Sequence, residues 1–230
     1  MIRAAAVVVP ANDEAPSIER CVRGAAASLA ACGVLPPHRH LIVVADACSD
    51  ATASIARRAG ALVVETSHRS AGAARAAGMR LALERTRTHP AHAVWLATTD
   101  ADSTVPLRWL AEQLRYADAG WDAVAGTVTV DDWSDRTPGL AAAFAEAYRF
   151  RGREHPHVHG ANLGVRASAY LDSGGFCSLP CAEDHALVDA LHLRGHRIRR
   201  PVDLPVATSA RADPRTPGGF GDRLTALEGR

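Results

Sequence analysis

The stretch AAAVVVPANDEAPSIERC, residues 4–21, contains a complete strand–loop–helix unit, and its pattern decides the fold. Its first part is a short valine-rich run without polar alternation, which is typical of a strand buried on both faces. Pro16 suits the first turn of a helix, Ile18 and Val22 recur at helical spacing, and Gly33 follows where that helix should end. The stretch therefore predicts a buried strand covered by the helix that follows it.

The same unit recurs along the first half of the chain. Further strands are predicted at 40–46, 61–66 and 93–100, and helices at 15–33, 49–60, 71–87 and 106–120. Ser49 is a candidate N-cap of the second helix. Strictly alternating strands and helices predict an α/β fold with a mostly parallel sheet and helices on both faces.

The second half is less regular but shows no repeat or linker. A strand is predicted at 122–132, helices at 138–154 and 181–198, and a loop with a strand at 157–166. The segment from Arg211 to the end is rich in proline, glycine and arginine, which predicts a flexible tail or a lid over the site. We expect one domain covering residues 1–230.

Composition excludes several classes of protein. The 230 residues are 47% hydrophobic, and 26 basic against 25 acidic residues give a net charge of +1, which argues against a nucleic-acid-binding surface. The longest apolar runs fall short of the roughly 20 residues that span a membrane. The N-terminal run is interpreted as a strand and not as a signal peptide, and the five cysteines as reduced thiols, so a cytoplasmic protein is expected. Oligomeric state, including a homodimer, is left open.

Two carboxylates follow the fourth predicted strand, Asp100 and Asp102 in TTDADS. Side by side they repel each other, so a functional site would need a cation, and Mg²⁺ or Mn²⁺ shared with substrate phosphates suits such oxygen ligands. The alternative is an ordinary polar strand end. Parallel α/β sheets bind ligands beyond the carboxyl ends of their strands, which makes the polar residues after the other strands candidates as well. These are Asn12, Asp13, Glu14, Asp46, His68 and Arg69.

Two further segments carry candidate chemistry. In SAGAARAAG, small residues around Gly72 allow close approach of a ligand to the backbone, and the helix start with Arg75 suits an anion. A tight turn and a solvated arginine are the alternative. In AEDH, either Glu183 or Asp184 is a candidate general base, although acids at a helix start also complement the helix dipole.

Six segments, in order, resemble a family 2 glycosyltransferase of the GT-A fold, a nucleotide-diphospho-sugar transferase. They are VVVPANDEAPSIERCV, VVADACSDAT, SAGAARAAGMRLAL, DADS, HGANLGVRASAYLDSGGF and EDHALVDALHLRGHRI. The similarity extends from about residue 5 to about residue 200. It implies one Rossmann-like GT-A domain and an enzyme that transfers a hexosyl group from a nucleotide-sugar.

The resemblance also implies roles for individual residues. The nucleotide-sugar site would comprise Pro10, Ala11, Asp13, Glu14, Asp46, Gly72, Arg75, Asp100, Ala101 and Asp102. Within it, Asp46 would face the base, Arg75 the diphosphate, and Asp102 would ligate the metal directly. The acceptor-side loop would comprise Gly160, Ala161 and Asn162. Asp184 would be the catalytic base, next to Glu183.

The sequence departs from the family pattern at several positions. Ala45 and Ala47 replace an acid and a glycine beside Asp46, and Ala76 replaces an asparagine after Arg75. No histidine stands near the C-terminus as a further metal ligand. Ser209, Arg211 or Asp213 are the candidates to face the site instead, and Arg211 and Arg215 are candidate phosphate clamps.

The expected reaction is transfer of a sugar from a UDP-sugar, or less favourably a GDP-sugar, to a hydroxyl of a small or soluble acceptor. It would require Mg²⁺ or Mn²⁺ and would invert configuration, with Asp184 as base. A nucleotidyltransferase and a catalytically silent nucleotide-sugar-binding protein are the alternatives. A nicotinamide-dependent dehydrogenase is disfavoured because no G-x-G-x-x-G follows the first strand.

Aromatic residues in the second half suggest an acceptor pocket. His155, His157 and His159 alternate, which would place three imidazoles on one face of a strand, either at the rim of an acceptor pocket or as a metal site. Trp133 is a candidate for stacking on a sugar or for the core.

Overall fold

The computed structural model describes residues 1–150, 152–179, 181–213 and 219–228. Its strands are β1 (Ala4–Ala11), β2 (Arg39–Asp46), β3 (Leu62–Thr66), β4 (Val94–Thr98), β5 (Ala123–Ala125), β6 (Val128–Val130), β7 (Leu163–Arg166), β8 (Ile198–Arg199) and β9 (Val206–Thr208). Its α-helices are α1 (Ile18–Ala31), α2 (Thr52–Arg58), α3 (Ala71–Arg85), α4 (Trp109–Asp118), α5 (Leu140–Ala147), α6 (Ala167–Asp172), α7 (Glu183–Leu193) and α8 (Phe220–Glu228).

The central sheet has seven strands in the order β3-β2-β1-β4-β7-β5-β8. The four strands β3, β2, β1 and β4 are mutually parallel, β7 runs antiparallel to both β4 and β5, and β8 is parallel to β5. Strands β6 and β9 pair in a separate two-stranded sheet. The predicted α/β class with a mostly parallel sheet is confirmed, and all four predicted strands of the first half are present.

Hydrophobic clusters cover both faces of the sheet. Helices α1 and α4 contribute Ile18, Val22 and Trp109 to one cluster, and α3 and α7 contribute Met79 and Leu187 to the other. Because β1 and β4 are buried on both faces, their sequences are apolar without alternation, as predicted. The carboxyl ends of these strands are the places where polar residues begin.

Two local predictions are wrong. The strand predicted at 122–132 is broken at Gly126 into β5 and β6, which belong to different sheets. A Cβ on Gly126 would lie 2.3 Å from the Asn162 side chain, so the chain turns away where Asn162 packs against it. The N-cap predicted at Ser49 is also wrong: α2 begins at Thr52, and the Ser49 hydroxyl contacts Asp13 instead.

The C-terminal segment is not simply a flexible tail. Residues 220–228 form helix α8, which packs on α5, and Leu224 is 1% exposed in a third hydrophobic cluster with Leu140 and Phe144. The sequence analysis did not predict this helix, and a role of the segment as a lid stays a prediction. Arg215 lies outside the described residues. The α8 side chains Phe220 and Arg223 line a cleft at the edge of the sheet.

All five cysteines are free thiols, as the sequence predicted. Among the described residues, none of the helices combines the length and the apolar content needed to cross a lipid bilayer.

Gly78 lets helix α3 pack directly against the side chains of β1 and β2. A Cβ on Gly78 would lie 2.3 Å from Val8 Cγ1 and 3.0 Å from Val44 Cγ2. We expect Gly78→Ala to lower the free energy of unfolding by about 1–3 kcal/mol in urea titrations, because the helix must shift outward. Gly24→Ala in α1 is the control: its nearest atom would be Thr104 Cγ2 at 3.4 Å, so stability should stay equal or rise. Equal stability of both variants would contradict the expected effect.

Candidate active site

A cleft of about 550 Å³ lies beyond the carboxyl ends of β1, β2 and β4. Most residues that the sequence predicted for the site line it. They are Pro10, Ala11, Asp13, Glu14, Asp46, Arg75, Asp100, Ala101, Asp102, Gly160, Ala161, Glu183 and Asp184. Gly72 and Asn162 do not line it. The topology thus brings residues from Pro10 to Arg223 together around one cleft.

Arg75 connects the two acidic motifs. Its guanidinium is buried and donates to Asp100 Oδ1 and to Glu183 Oε1, while Nε donates to Thr98 Oγ1 at 3.3 Å. Gly160 makes room for it, since a Cβ there would lie 2.5 Å from Arg75 Nη2. Arg75 therefore links Asp100, at the end of β4, to Glu183, at the start of α7. Its donors bind these carboxylates, and contact of Arg75 with a diphosphate stays a prediction.

Gly72 supports this arrangement from outside the cleft. A Cβ on Gly72 would lie 2.5 Å from the Cys177 carbonyl oxygen and 3.0 Å from Glu183 Cβ. Its lack of a side chain lets α3 and the start of α7 approach each other. The predicted close approach is thus to protein backbone, and contact of Gly72 with a diphosphate stays a prediction.

The Asp100 and Asp102 carboxylates have different environments. Burial raises the pKa of Asp100 to about 6; Arg75 opposes this shift, and the nearby carboxylate of Asp102 adds to it. Asp102 Oδ2 accepts a hydrogen bond from Arg211 Nη2, which also donates to Glu14 Oε1 at 2.6 Å. A cation beside both aspartates would favour their ionised forms.

Arg211 contacts the carboxylates of two of the predicted site residues. Its guanidinium lies between Glu14, at the end of β1, and Asp102, at the end of β4. Ser209 also lines the cleft, whereas Asp213 does not. Of the three candidates, Arg211 is the one in contact with Asp102.

Asp46 organises the loop between β3 and α3. Its Oδ1 accepts from Thr66 Oγ1 at 2.9 Å and from the His68 amide at 2.6 Å, and its Oδ2 accepts from the Ser70 amide at 2.8 Å. The side chain is buried at 3% exposure yet borders the cleft. These contacts explain an acid here on structural grounds, and its contact with a base stays a prediction.

Asp13 ties the first loop to the second. Its Oδ1 accepts from the amides of Ser49 at 2.6 Å and Asp50 at 3.1 Å, and these backbone bonds lower the pKa of Asp13. Asp13, Cys48 and Asp50 also bring potential metal ligand atoms within 4.8 Å of one another. Because the Asp13 carboxylate already accepts these amide hydrogen bonds, the cluster is explained as the closure of this turn.

Backbone strain is concentrated around the cleft. Among the described residues, the non-glycine residues with positive φ all line it: Asp13, Ala47, Arg69 and Ala182, with φ between 51° and 59°. Each costs about 1 kcal/mol in this left-handed conformation. Ala47 stands where the resembled family has a glycine, which explains the glycine of the pattern. Strain of this kind is typical of functional loops.

Glu183 and Asp184 begin α7 and point in different directions. Glu183 is 5% exposed and binds Arg75, whereas Asp184 is only partly buried and lines the cleft. Asp184 Oδ2 accepts from the Gly160 amide at 2.8 Å, and Oδ1 accepts from the His185 amide at 2.8 Å. Glu183 thus has a positioning contact, and Asp184 presents its carboxylate at the cleft wall.

Asn162 is placed behind the cleft. It is fully buried; its Oδ1 accepts from Trp109 Nε1 at 2.8 Å, and its Nδ2 donates to the carbonyls of Thr127 at 2.8 Å and Leu204 at 2.7 Å. These bonds fix the loop that carries Gly160 and Ala161. The acceptor-binding role of Asn162 stays a prediction, because its observed partners are all within the protein.

Some cleft residues were missed by the sequence analysis. Phe220, Arg223 and Thr208 line the cleft, and Thr98 supports Arg75. No motif marks them. Of the three alternating histidines, His159 lines the cleft, and a role at the rim of an acceptor pocket stays a prediction.

Of the two alternatives for Trp133, the structure favours packing in the core. Its ring packs on Phe144 with centroids 5.4 Å apart, and it borders the third hydrophobic cluster.

Comparison with known proteins agrees with this geometry. The family model for glycosyl transferase family 2 matches residues 6–173. No curated protein matches the sequence.

Several solved structures share the fold. The mannosyltransferase PcManGT from Pyrobaculum calidifontis, in complex with GDP-Man and Mn²⁺, has a TM-score of 0.69 at 21% identity, over 98% of this chain and 69% of that one. TarS 1–349 from S. aureus with UDP-GlcNAc has a TM-score of 0.67 at 16% identity, over 97% and 65%. Glucosyl-3-phosphoglycerate synthase from Mycobacterium tuberculosis, with Mn²⁺, UDP and phosphoglyceric acid, has a TM-score of 0.54 at 20% identity, over 98% and 77%.

This chain therefore spans less than two thirds of that TarS chain. The identities are too low to transfer a substrate, but the fold is the GT-A fold of these enzymes. Since the family model covers well over half of the sequence, the chain belongs to glycosyl transferase family 2 and is a glycosyltransferase.

Proposed function

We propose that the protein transfers a sugar from a nucleotide-diphosphate sugar to an acceptor hydroxyl with the help of a divalent metal ion. The observation that carries the proposal is the composition of one cleft: Asp100 and Asp102 line it together with Asp184, whose carboxylate is not paired with an arginine among the described residues. The first two carboxylates suit a metal–diphosphate complex, and the third suits proton removal from a hydroxyl.

The residues present fit a metal ion. Carboxylate oxygens of Asp102 and Glu14 lie close together in the cleft, and the Arg211 guanidinium forms ion pairs with both. Mg²⁺ and Mn²⁺ prefer such oxygen ligands. A divalent cation held by Asp102 would stabilise negative charge on the departing diphosphate. Release of Asp102 by Arg211 would leave the guanidinium free to bind a phosphate oxygen.

The donor and the metal are inferred from similarity and chemistry together. Structural relatives were solved with GDP-Man and Mn²⁺, with UDP-GlcNAc, and with UDP and Mg²⁺. We infer a UDP-sugar as the preferred donor and a GDP-sugar as the less favoured one. Asp13, Glu14 and Asp46 surround the end of the cleft proposed for the nucleoside.

Asp184 is proposed as the general base, with inversion at the anomeric carbon. The Gly160 amide holds Asp184 Oδ2, which orients the carboxylate for a hydroxyl entering along Gly160 and Ala161. Glu183 and Arg75 fix the start of α7 and so position Asp184. The acceptor is inferred to be a small or soluble molecule with a free hydroxyl.

Titration calorimetry with UDP, GDP and their sugar conjugates, with and without Mn²⁺, tests the donor site. For the wild type we expect one nucleotide to bind in the micromolar range only with Mn²⁺. Asp102→Asn should weaken that binding at least about tenfold, because a neutral amide is a poor ligand for a hard cation. Asp135→Asn, an exposed carboxylate outside the cleft, is the matched control. Absence of binding by every nucleotide to folded protein would refute the donor site.

A further inference from the structure

A second cavity, of about 280 Å³, lies between α5 and α8. Its walls are mostly apolar and aromatic. The principal lining residues are Phe144, Tyr148, His157, Phe220, Arg223 and Leu224. We name it the aromatic pocket.

The aromatic pocket adjoins the active-site cleft. Phe220 and Arg223 line both cavities. Arg223 Nη2 lies 3.1 Å from Nε2 of His185, the residue that follows Asp184. The pocket therefore joins the cleft on the side of the proposed base, and Asp13 and Asp46, which line the cleft at the proposed nucleoside end, are not among its lining residues.

Apart from Arg223, the named lining residues of the pocket are aromatic or aliphatic. The rings of Tyr148 and His157 are stacked, with centroids 4.4 Å apart and an interplanar angle of 3°. Tyr148 Oη lies 2.8 Å from His159 Nε2. Burial lowers the pKa of His157, and lowers that of His159 to about 3, so both imidazoles are neutral near pH 7. Tyr148 also stacks on Phe144, with ring centroids 4.1 Å apart, so the pocket offers ring edges and aliphatic side chains to a ligand. An aromatic group packs favourably against ring edges.

Resting on the proposed function, we propose that the aromatic pocket binds an aromatic or other flat apolar part of the acceptor. Whole-ligand sites usually occupy about 300–1,000 Å³, so this smaller cavity suits one portion of a molecule whose hydroxyl lies in the cleft at Asp184. The acceptor class is then a hydroxyl compound carrying a ring, not a purely polar one. The arginine at the junction, Arg223, offers donors to polar groups between the two portions.

The test uses phenyl β-glucoside and methyl β-glucoside as paired probes, with binding measured by ligand-observed NMR on the full chain. In the wild type we expect the phenyl probe to bind about tenfold more tightly. Ala147→Trp should abolish this preference, because Ala147 lines the pocket and the indole would fill it. Ala145→Trp is the control: this alanine is exposed on the same helix, outside the pocket, and the preference should persist.

Equal binding of the two probes, no saturable binding of the phenyl probe, or a preference that survives Ala147→Trp would each overturn the proposal. Nucleotide binding is measured separately by calorimetry on the same variants. If only the proposed donor site fails, nucleotide binding will be absent and the preference for the phenyl probe will persist. If only the acceptor proposal fails, nucleotide binding will be normal and the phenyl probe will not be preferred.

Discussion

Asp184→Asn is expected to lower the turnover number for sugar transfer by about 10²–10⁴-fold, because the amide cannot take the proton from the attacking hydroxyl. The substitution keeps the size of the side chain and an oxygen that can accept from the Gly160 amide. The local fold should therefore persist. Affinity for the donor nucleotide with Mn²⁺, measured by calorimetry, should change less than about threefold.

The matched control is Asp189→Asn. Asp189 lies on the same helix, α7, but is exposed and does not line the cleft. Its turnover number should equal that of the wild type. Undiminished transfer by Asp184→Asn, with full occupancy by the donor, would remove Asp184 as the base. Loss of nucleotide affinity in parallel with turnover would instead assign it to donor binding.

The strands of the first half and the edge of the sheet that carries the site could be predicted because both depend on local sequence patterns. Strands β1 and β4 are apolar runs, β2 contains the apolar run Leu41–Ala45, and polar residues follow these runs at the same edge of the sheet. Asp102 and Asp184 were predicted as site residues from the short motifs that contain them. Their assembly in one cleft followed from the rule that parallel strands present their carboxyl ends together.

The contacts that were not predicted join distant segments. Arg75 and Glu183 are 108 residues apart, and Arg211 and Asp102 are 109 apart. Each side chain has an ordinary local explanation, so only the folded chain reveals its partner. Helix α8 was missed because the preceding proline- and glycine-rich sequence suggested a tail, whereas packing of Leu224 against α5 stabilises it. Tertiary burial here outweighs the local pattern.

Arg75→Met is expected to be the most destabilising of the proposed substitutions, lowering the free energy of unfolding by about 3–5 kcal/mol. Arg75 is 4% exposed and pairs with Glu183, which is 5% exposed, so its removal leaves a buried carboxylate without a counter-charge. Asp100 would lose its partner as well. Chemical denaturation monitored by circular dichroism measures the change.

Two further variants test whether the unpaired charge of Glu183 causes the loss of stability. Arg80→Met alters an exposed arginine on the same helix, and stability should change by less than about 0.5 kcal/mol. Adding Glu183→Gln to Arg75→Met should restore part of the lost stability, because the second substitution removes the uncompensated charge. A double variant as unstable as the sum of the single ones would show that the two residues act independently. The pair would then not be what holds α7, and with it Asp184, against α3.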